Sequence, residues 1–198
     1  MLHEALWRAN QDLARACLDH PFVQGLASGS LAAARFGAYV AQDAFFLRAF
    51  LQAWALALAR AADPEPFRDL LNGAADELRL HRAYAAQLSL DLDHVTPTPA
   101  CRAYTDFLLH TAWQEDLGGI LAAMTPCLRL YAWLGGNLAP GAGGPYQKWI
   151  DTYSSPEFQQ LATLVEALLD RHAADTPAVR DHYHYAMRCE LDFFSDVL

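Results

Sequence analysis

Two acidic side chains lie alone on otherwise apolar helical stripes. Asp43 is the only charged residue of a stripe that runs from Phe36 to Trp54 with spacings of three and four. Glu190 is likewise the only charged residue of an apolar stripe near the end of the chain. A lone carboxyl group in a protein core is costly unless a partner satisfies it. Each acid is therefore a hydrogen-bonded core residue or a ligand contact, and the pattern leaves both open.

A third candidate is Cys127, which follows Pro126 on an apolar helix. A buried free cysteine is most often a small core residue, but a neighbouring acid or aromatic hydroxyl could make it a nucleophile. If Cys127, Asp43 and Glu190 share one pocket, burial raises the pKa of the glutamate and lets it move a proton near neutral pH. Phe46, one turn beyond Asp43, could supply an aromatic wall. The other three cysteines are interpreted as core residues.

Metal binding is the alternative chemistry that the sequence suggests. Glu77 and His81 are four residues apart, so both could ligate one ion from one face of a helix. A metal site in a helical bundle needs further carboxylate or histidine pairs on other helices, and none is evident. The favoured interpretation is therefore that the histidines are exposed or hydrogen-bonded. No Gly-rich loop follows a strand, so the sequence carries no nucleotide-binding motif.

Length, composition and charge limit the class of protein. The chain has 198 residues, of which 54% are hydrophobic, so residues 1–198 can form one domain with a sizeable core. Its net charge of −9 argues against nucleic-acid binding. The four cysteines lack zinc-type spacing, and charges interrupt the N-terminal segment where a signal peptide would lie. The apolar run 49–59 is too short to span a membrane. We expect a soluble, reduced, cytoplasmic protein.

Helices must position these residues, because Ala and Leu dominate and no segment shows sustained alternation of apolar and polar residues. His20-Pro21 is expected to end the first helix and lead into a loop, and Ser30 to cap the second. A Gly-rich loop is expected at 140–145. The predicted helices are 2–18, 31–62, 66–90, 100–115, 117–138, 146–153, 156–174 and 177–198. The sequence thus predicts a single all-α bundle of about seven or eight helices.

Several short motifs occur in a fixed order along this chain. They are His20-Pro-Phe-Val-Gln-Gly25, Val40-Ala-Gln-Asp43, Glu77-x3-His81, Thr125-Pro-Cys127, Tyr146-Gln-Lys-Trp-Ile-Asp-Thr-Tyr153 and Glu190-x2-Phe-Phe194. In this order and spacing, which covers residues 20–190, the chain resembles the TenA/thiaminase II family. The resemblance implies the haem-oxygenase-like all-helical fold, usually assembled as a homotetramer. It also implies a thiamin-salvage hydrolase that needs no metal or other cofactor.

The resemblance also implies roles for individual residues. Cys127 falls on the family's nucleophile, Glu190 on its acid/base, and Asp43 on the residue that binds the amino group and ring nitrogen of the pyrimidine. The remaining implied pocket residues are Phe46, Tyr104, Tyr131 and Tyr153, with Phe46 standing where many members have a tyrosine. The implied substrate is 4-amino-5-aminomethyl-2-methylpyrimidine, a breakdown product of thiamin, and many members also cleave thiamin itself.

Two functions of other classes remain open at this point. A haem-oxygenase-like, metal-dependent oxidase could use Glu77 and His81 as partial ligands. A non-enzymatic regulatory protein of the same fold is the second alternative, although the acidic charge and the absence of a basic helix weigh against direct contact with DNA.

Overall fold

The computed structural model describes residues 1–138, 141 and 143–198, and every regular element within these ranges is a helix. The elements run, in order, α1 Leu2–Ala9, α2 Gln11–Leu18, α3 Pro21–Ser28, α4 Ala33–Arg60, α5 Glu65–Leu88, α6 Pro99–Gln114, α7 Leu117–Asn137, a 3-10 helix Gly144–Tyr146, α8 Gln147–Ser154, α9 Pro156–His172 and α10 Pro177–Asp196. The all-α fold predicted from the sequence is confirmed.

The N-terminal region contains two more helices than the sequence predicted. The single helix expected at 2–18 is broken at Asn10, whose side-chain amide donates to the Leu6 carbonyl at 2.9 Å. The loop expected after His20-Pro21 is wrong, because these residues start α3 instead. His20 Nδ1 accepts from the Phe22 amide at 3.2 Å, and Pro21 takes the first helical position, where its missing N–H costs nothing.

Capping residues explain where several other helices begin. Ser155 and Thr176 accept hydrogen bonds from backbone amides of α9 and α10, so the helix starts predicted at Pro156 and Pro177 are confirmed. The cap predicted at Ser30 is wrong, because its hydroxyl lies 2.8 Å from that of Ser28 and α4 begins without a side-chain cap. The loop predicted at 140–145 lies partly outside the described residues, which omit 139, 140 and 142.

Helix α7 is the interior helix of the bundle and packs against α8, α9 and α10. Its length and composition would allow it to cross a membrane, but 78% of its most apolar window is buried inside the protein. Pro126 lies within α7 without ending it, although the proline ring cannot donate to the carbonyl one turn earlier. The carbonyl that loses its donor is that of Ala122; the Thr125 hydroxyl bonds to a different carbonyl, that of Leu121, at 2.7 Å.

Contacts between neighbouring helices fix the positions of the helices around the centre of the bundle. Helix α4 packs along α5 and α6, and α10 packs along α7 and α6. On the other side, α8 approaches α7 at Gly135, where a Cβ atom would lie 2.5 Å from the Tyr153 carbonyl carbon. Gly135 therefore allows the backbones of α7 and α8 to come into contact, so α8 packs directly against α7.

Candidate active site

Four helices contribute side chains to a small cavity inside the bundle. It is lined by Asp43 and Phe46 from α4, Tyr104 from α6, Cys127 and Tyr131 from α7, and Glu190 and Phe193 from α10. None of these residues is more than 9% exposed. The cavity volume is about 10 Å³, far below the roughly 300–1,000 Å³ of typical ligand pockets. Its aromatic walls must therefore shift to admit a ligand.

All but one of the predicted site residues line this cavity. The exception is Tyr153, which lies behind Tyr131 with a ring-centroid distance of 4.8 Å. Its hydroxyl donates to Glu77 Oε1 at 2.5 Å, so it reaches the cavity only through its neighbours. Phe193 was not predicted. Its position three residues after Glu190, on the same face of α10, is the sequence signal that could have found it.

Glu190 is held in the cavity by hydrogen bonds that favour its charged form. The Tyr104 hydroxyl donates to Glu190 Oε1 at 2.7 Å. Burial nevertheless dominates and raises the pKa of Glu190 to about 8, while the hydrogen bonds from Tyr104 and Cys127 partly oppose the rise. The raised pKa agrees with the expectation from the apolar stripe. Glu190 can therefore gain or lose a proton near neutral pH.

The Cys127 thiol is not activated in the empty cavity. Burial raises its pKa well above the ordinary value, and the nearby carboxyl groups of Glu190, Glu77 and Asp43 raise it further. Of these carboxyl groups, Glu190 has the largest effect on the thiol. A neighbouring acid was expected to activate the sulfur, but here the acids favour the neutral thiol. A nucleophilic role for this sulfur would require transfer of the thiol proton, and the Glu190 carboxyl group lines the same cavity.

Asp43 is held by a buried network that extends away from the cavity. His81 Nε2 on α5 lies 2.7 Å from Asp43 Oδ2, and the Tyr39 hydroxyl donates to the same oxygen at 3.4 Å. The Trp149 indole donates in turn to the Tyr39 hydroxyl at 3.2 Å. Tyr39 lies on the same helix as Asp43, and the partner from a neighbouring helix is His81, which the sequence analysis did not identify as a partner of Asp43. His81 was visible only as a possible metal ligand, because pairing with Asp43 depends on how α4 packs against α5.

The two residues of the possible metal pair have protein partners. Glu77 bonds to Tyr153, and His81 lies between Asp43 and the Glu77 backbone carbonyl. Burial raises the pKa of Glu77 to about 7, and Asp43 contributes to the rise. Among the residues that the structure describes, no three His, Cys, Asp or Glu side chains are grouped so that they could hold an ion.

Comparison with known proteins places the chain in a family. Residues 7–198 match the profile of the TENA/THI-4/PQQC family. The chain belongs to this family. A relative from Halalkalibacterium halodurans, named aminopyrimidine aminohydrolase, is 33% identical over 180 residues, which cover 85% of this chain and 80% of that protein.

Other TENA-family relatives are longer. The mitochondrial bifunctional TH2 protein of Arabidopsis thaliana is 35% identical over 206 residues. That alignment covers 88% of this chain but 33% of the plant protein. This chain therefore spans about a third of the length of that relative.

Solved structures of the family share the fold. A TenA family transcription regulator from Silicibacter sp. TM1040 superposes with a TM-score of 0.90 at 29% identity and covers 97% of this chain and 94% of its own. A domain from Shewanella denitrificans with a heme oxygenase-like fold superposes with a TM-score of 0.60 at 15% identity and covers 100% of this chain and 91% of its own. The haem-oxygenase-like fold expected from the sequence is confirmed.

Proposed function

We propose that this protein is an aminopyrimidine aminohydrolase of thiamin salvage. It replaces the exocyclic amine of 4-amino-5-aminomethyl-2-methylpyrimidine with a hydroxyl group from water, and thiamin is the candidate second substrate. The observation that carries the proposal is a single buried cavity that combines a thiol, two carboxyl groups and aromatic walls. The names of the family relatives that cover most of the chain support the same activity.

Cys127 provides the nucleophile in this proposal. Displacement of an amine from the exocyclic CH2 is slow while the pyrimidine ring is aromatic. Addition of the Cys127 sulfur to a ring carbon removes the aromaticity, and the thiol proton passes through Glu190 to a ring nitrogen. The electron pair of the 4-amino group can then expel the exocyclic amine, which takes up a proton from Glu190 and leaves as ammonia.

Water completes the reaction in the second half of the cycle. It adds to the exocyclic CH2, and the proton that it loses returns to Glu190. The carbon–sulfur bond then breaks, and the proton on the ring nitrogen passes back through Glu190 to the sulfur. This restores the aromatic ring and the neutral Cys127 thiol. The net change is one amine and one water converted to one alcohol and one ammonia. Asp43 binds the 4-amino group throughout, and the rings of Phe46 and Tyr131 pack against the pyrimidine.

Three further properties form part of the proposal. Residues 1–198 act as one domain, supported by a continuous core cluster that joins the helices. The protein acts in the cytoplasm. It forms a homotetramer, and the large apolar side chains that stay exposed in one chain support this assembly. Trp113 is 64% exposed, and Tyr185 is 43% exposed and packs on Phe107 with centroids 4.7 Å apart. Light scattering on a sizing column measures the assembly, and a monomer would contradict the tetramer.

Product analysis tests the proposed reaction. Purified protein is incubated with the aminomethylpyrimidine, and separately with thiamin, in water enriched in ¹⁸O. We expect the hydroxymethylpyrimidine carrying one ¹⁸O atom and an equal amount of ammonia from the first substrate. Cys127→Ser is the matched control, because it changes one atom and should abolish turnover. Failure of folded wild-type protein to convert either substrate would contradict the proposal and favour a regulatory role for this fold.

A further inference from the structure

Only one oxygen of the Asp43 carboxyl group is used by the protein. Both the imidazole of His81 and the hydroxyl of Tyr39 reach Oδ2. Among the described residues no hydrogen-bond donor reaches Oδ1, although Asp43 lines the cavity. The network therefore fixes the carboxyl group from behind and leaves Oδ1 as the oxygen available to a ligand.

The position of His81 determines where protons lie in this pair. Its Nδ1 lies 3.0 Å from the backbone carbonyl of Glu77, which accepts but cannot donate, so Nδ1 must carry a proton. Its Nε2 lies 2.7 Å from Asp43 Oδ2, which is an ion-pair distance, although the ring N–H is not aligned with that oxygen as a hydrogen bond. The raised pKa of His81 favours the imidazolium form beside Oδ2. A carboxylate that faces an imidazolium on one oxygen presents the other oxygen, here Oδ1, as an acceptor.

We propose that His81 is a positioning residue that keeps Asp43 Oδ1 a pure hydrogen-bond acceptor and thereby makes the site select 4-aminopyrimidines over 4-oxopyrimidines. The inference rests on the proposed function, since it concerns the same substrate site. An amino group donates to Oδ1, whereas an oxo group at the same ring position would place two acceptors against each other. Such a mismatch in a buried site is strongly disfavoured, because neither group can turn to water.

The groups around His81 support this arrangement. Burial lowers its pKa, but Asp43 and Glu77 together outweigh that effect, and the net pKa is raised. The titratable groups that face His81 are Asp43 and Tyr39 from α4, and Glu77 and Tyr84 from its own helix. Two residues of α8 lie beyond them: Tyr153 bonds to Glu77, and Lys148 lies over the Tyr84 ring. Because His81 is 0% exposed, exchange of its two protons with water requires the structure to open.

The first experiment uses wild-type protein and needs no turnover. Nitrogen-15 NMR of the histidine rings, with His81 assigned from the signals that a His81→Gln variant lacks, reports which ring nitrogens carry protons. We expect Nδ1 of His81 to stay protonated from about pH 6 to 9. The Nε2 signal should shift in Asp43→Asn. A His81 ring with a bare Nδ1 would overturn the inference, whatever the enzyme does.

The second experiment measures selectivity by binding. Calorimetry gives the dissociation constants of 4-amino-5-hydroxymethyl-2-methylpyrimidine and of its 4-oxo analogue. We expect wild-type protein to prefer the amino compound by about 100-fold or more. His81→Phe, which removes both donors, should reduce this preference to below about 10-fold, because Asp43 becomes free to carry a proton on Oδ1. His81→Gln, which can still donate to Oδ2, should retain more of the preference than His81→Phe.

The control is His184→Gln, which removes a histidine bonded to Asn10 Oδ1 at 2.8 Å outside the cavity. It should leave the amino-over-oxo ratio unchanged. An unchanged ratio in folded His81→Phe would overturn the role of His81 while leaving the proposed function intact. If wild-type protein binds neither pyrimidine, the proposed function fails instead. The selectivity ratio separates positioning from general damage, because a loosened fold weakens both ligands together.

Discussion

Replacement of Glu190 by Gln should remove activity and stabilise the protein at the same time. Glutamine keeps the size of the side chain and the oxygen that accepts from Tyr104 at 2.7 Å, but it cannot exchange a proton. Loss of a general acid/base costs about 100-fold to 10,000-fold in rate, so turnover should fall by at least 100-fold. Binding of the hydroxymethylpyrimidine product should change much less, because Asp43 and the aromatic walls remain.

The stabilisation follows from the sign of the pKa shift. Burial raises the pKa of Glu190 from 4.5 to about 8, so the folded protein prefers the protonated acid. As pH rises above 4.5 the unfolded chain ionises first, and the folded state loses stability until the pH passes about 8. Each pH unit in this window costs about 1.4 kcal/mol. The cost is therefore about 3 kcal/mol at pH 7 and about 1 kcal/mol at pH 5.

Glu190→Gln is free of this cost, so it should gain stability that grows with pH. At roughly 2–4 °C per kcal/mol for a chain of this size, its Tm should exceed the wild-type value by roughly 10 °C at pH 7 and by only a few degrees at pH 5. Calorimetric or circular dichroism melting at both pH values measures the difference. Asp192→Asn, at an exposed position on the same helix, should show no such trend.

Three results would refute this reasoning about Glu190. An equal Tm difference at pH 5 and pH 7 would mean that the carboxyl group ionises with its ordinary pKa. Turnover within a few-fold of wild type would mean that Glu190 moves no proton in the reaction. Collapse of product binding with normal turnover of the bound fraction would make it a binding residue instead.

Three further predictions concern the thiol, the ligand contact and the helix frame. Because burial and Glu190 raise the pKa of Cys127, iodoacetamide at pH 7 should modify it slowly in the folded empty protein, as mass spectrometry would show; rapid labelling would contradict the neutral thiol. Asp43→Asn should weaken product binding by about 10-fold or more in calorimetry, and an unchanged dissociation constant would make Asp43 a structural acid. Gly135→Ala should lower the free energy of unfolding by about 1–3 kcal/mol, because the new Cβ would lie 2.5 Å from the Tyr153 carbonyl carbon. Gly136→Ala is the control and should be neutral or stabilising, because its Cβ would have nothing within 4 Å. Equal Tm changes in the two variants would contradict the close crossing of α7 and α8.

The sequence alone determined most of the helical framework and most of the candidate site. Proline after a capping residue marks the starts of α9 and α10, because that pair satisfies a free amide and fixes the backbone locally. The lone acids Asp43 and Glu190 were visible because helical spacing places them among apolar side chains. Cys127 and Phe46 were visible in the same way, on or beside apolar helix faces, and the family resemblance then pointed to the tyrosines.

In the N-terminal region, the local sequence could not decide where one helix ends and whether a loop or a new helix follows. His20-Pro21 ends one helix and begins another, and the sequence supports either a loop or a new helix after it. The break at Asn10 depends on a side-chain hydrogen bond to the preceding turn, and the same residue also pairs with His184 of the last helix. Long-range contacts of this kind are absent from any local window of sequence.

Only the tertiary structure decided which polar groups meet. His81 pairs with Asp43 because α5 packs along α4, and Tyr153 is kept behind Tyr131 because α8 crosses α7 at Gly135. The same packing sets the pKa of Cys127, since desolvation and nearby carboxyl groups act through space and not along the chain. Sequence spacing fixes which side chains share a face of one helix, whereas distances between helices come from the packing of all of them together.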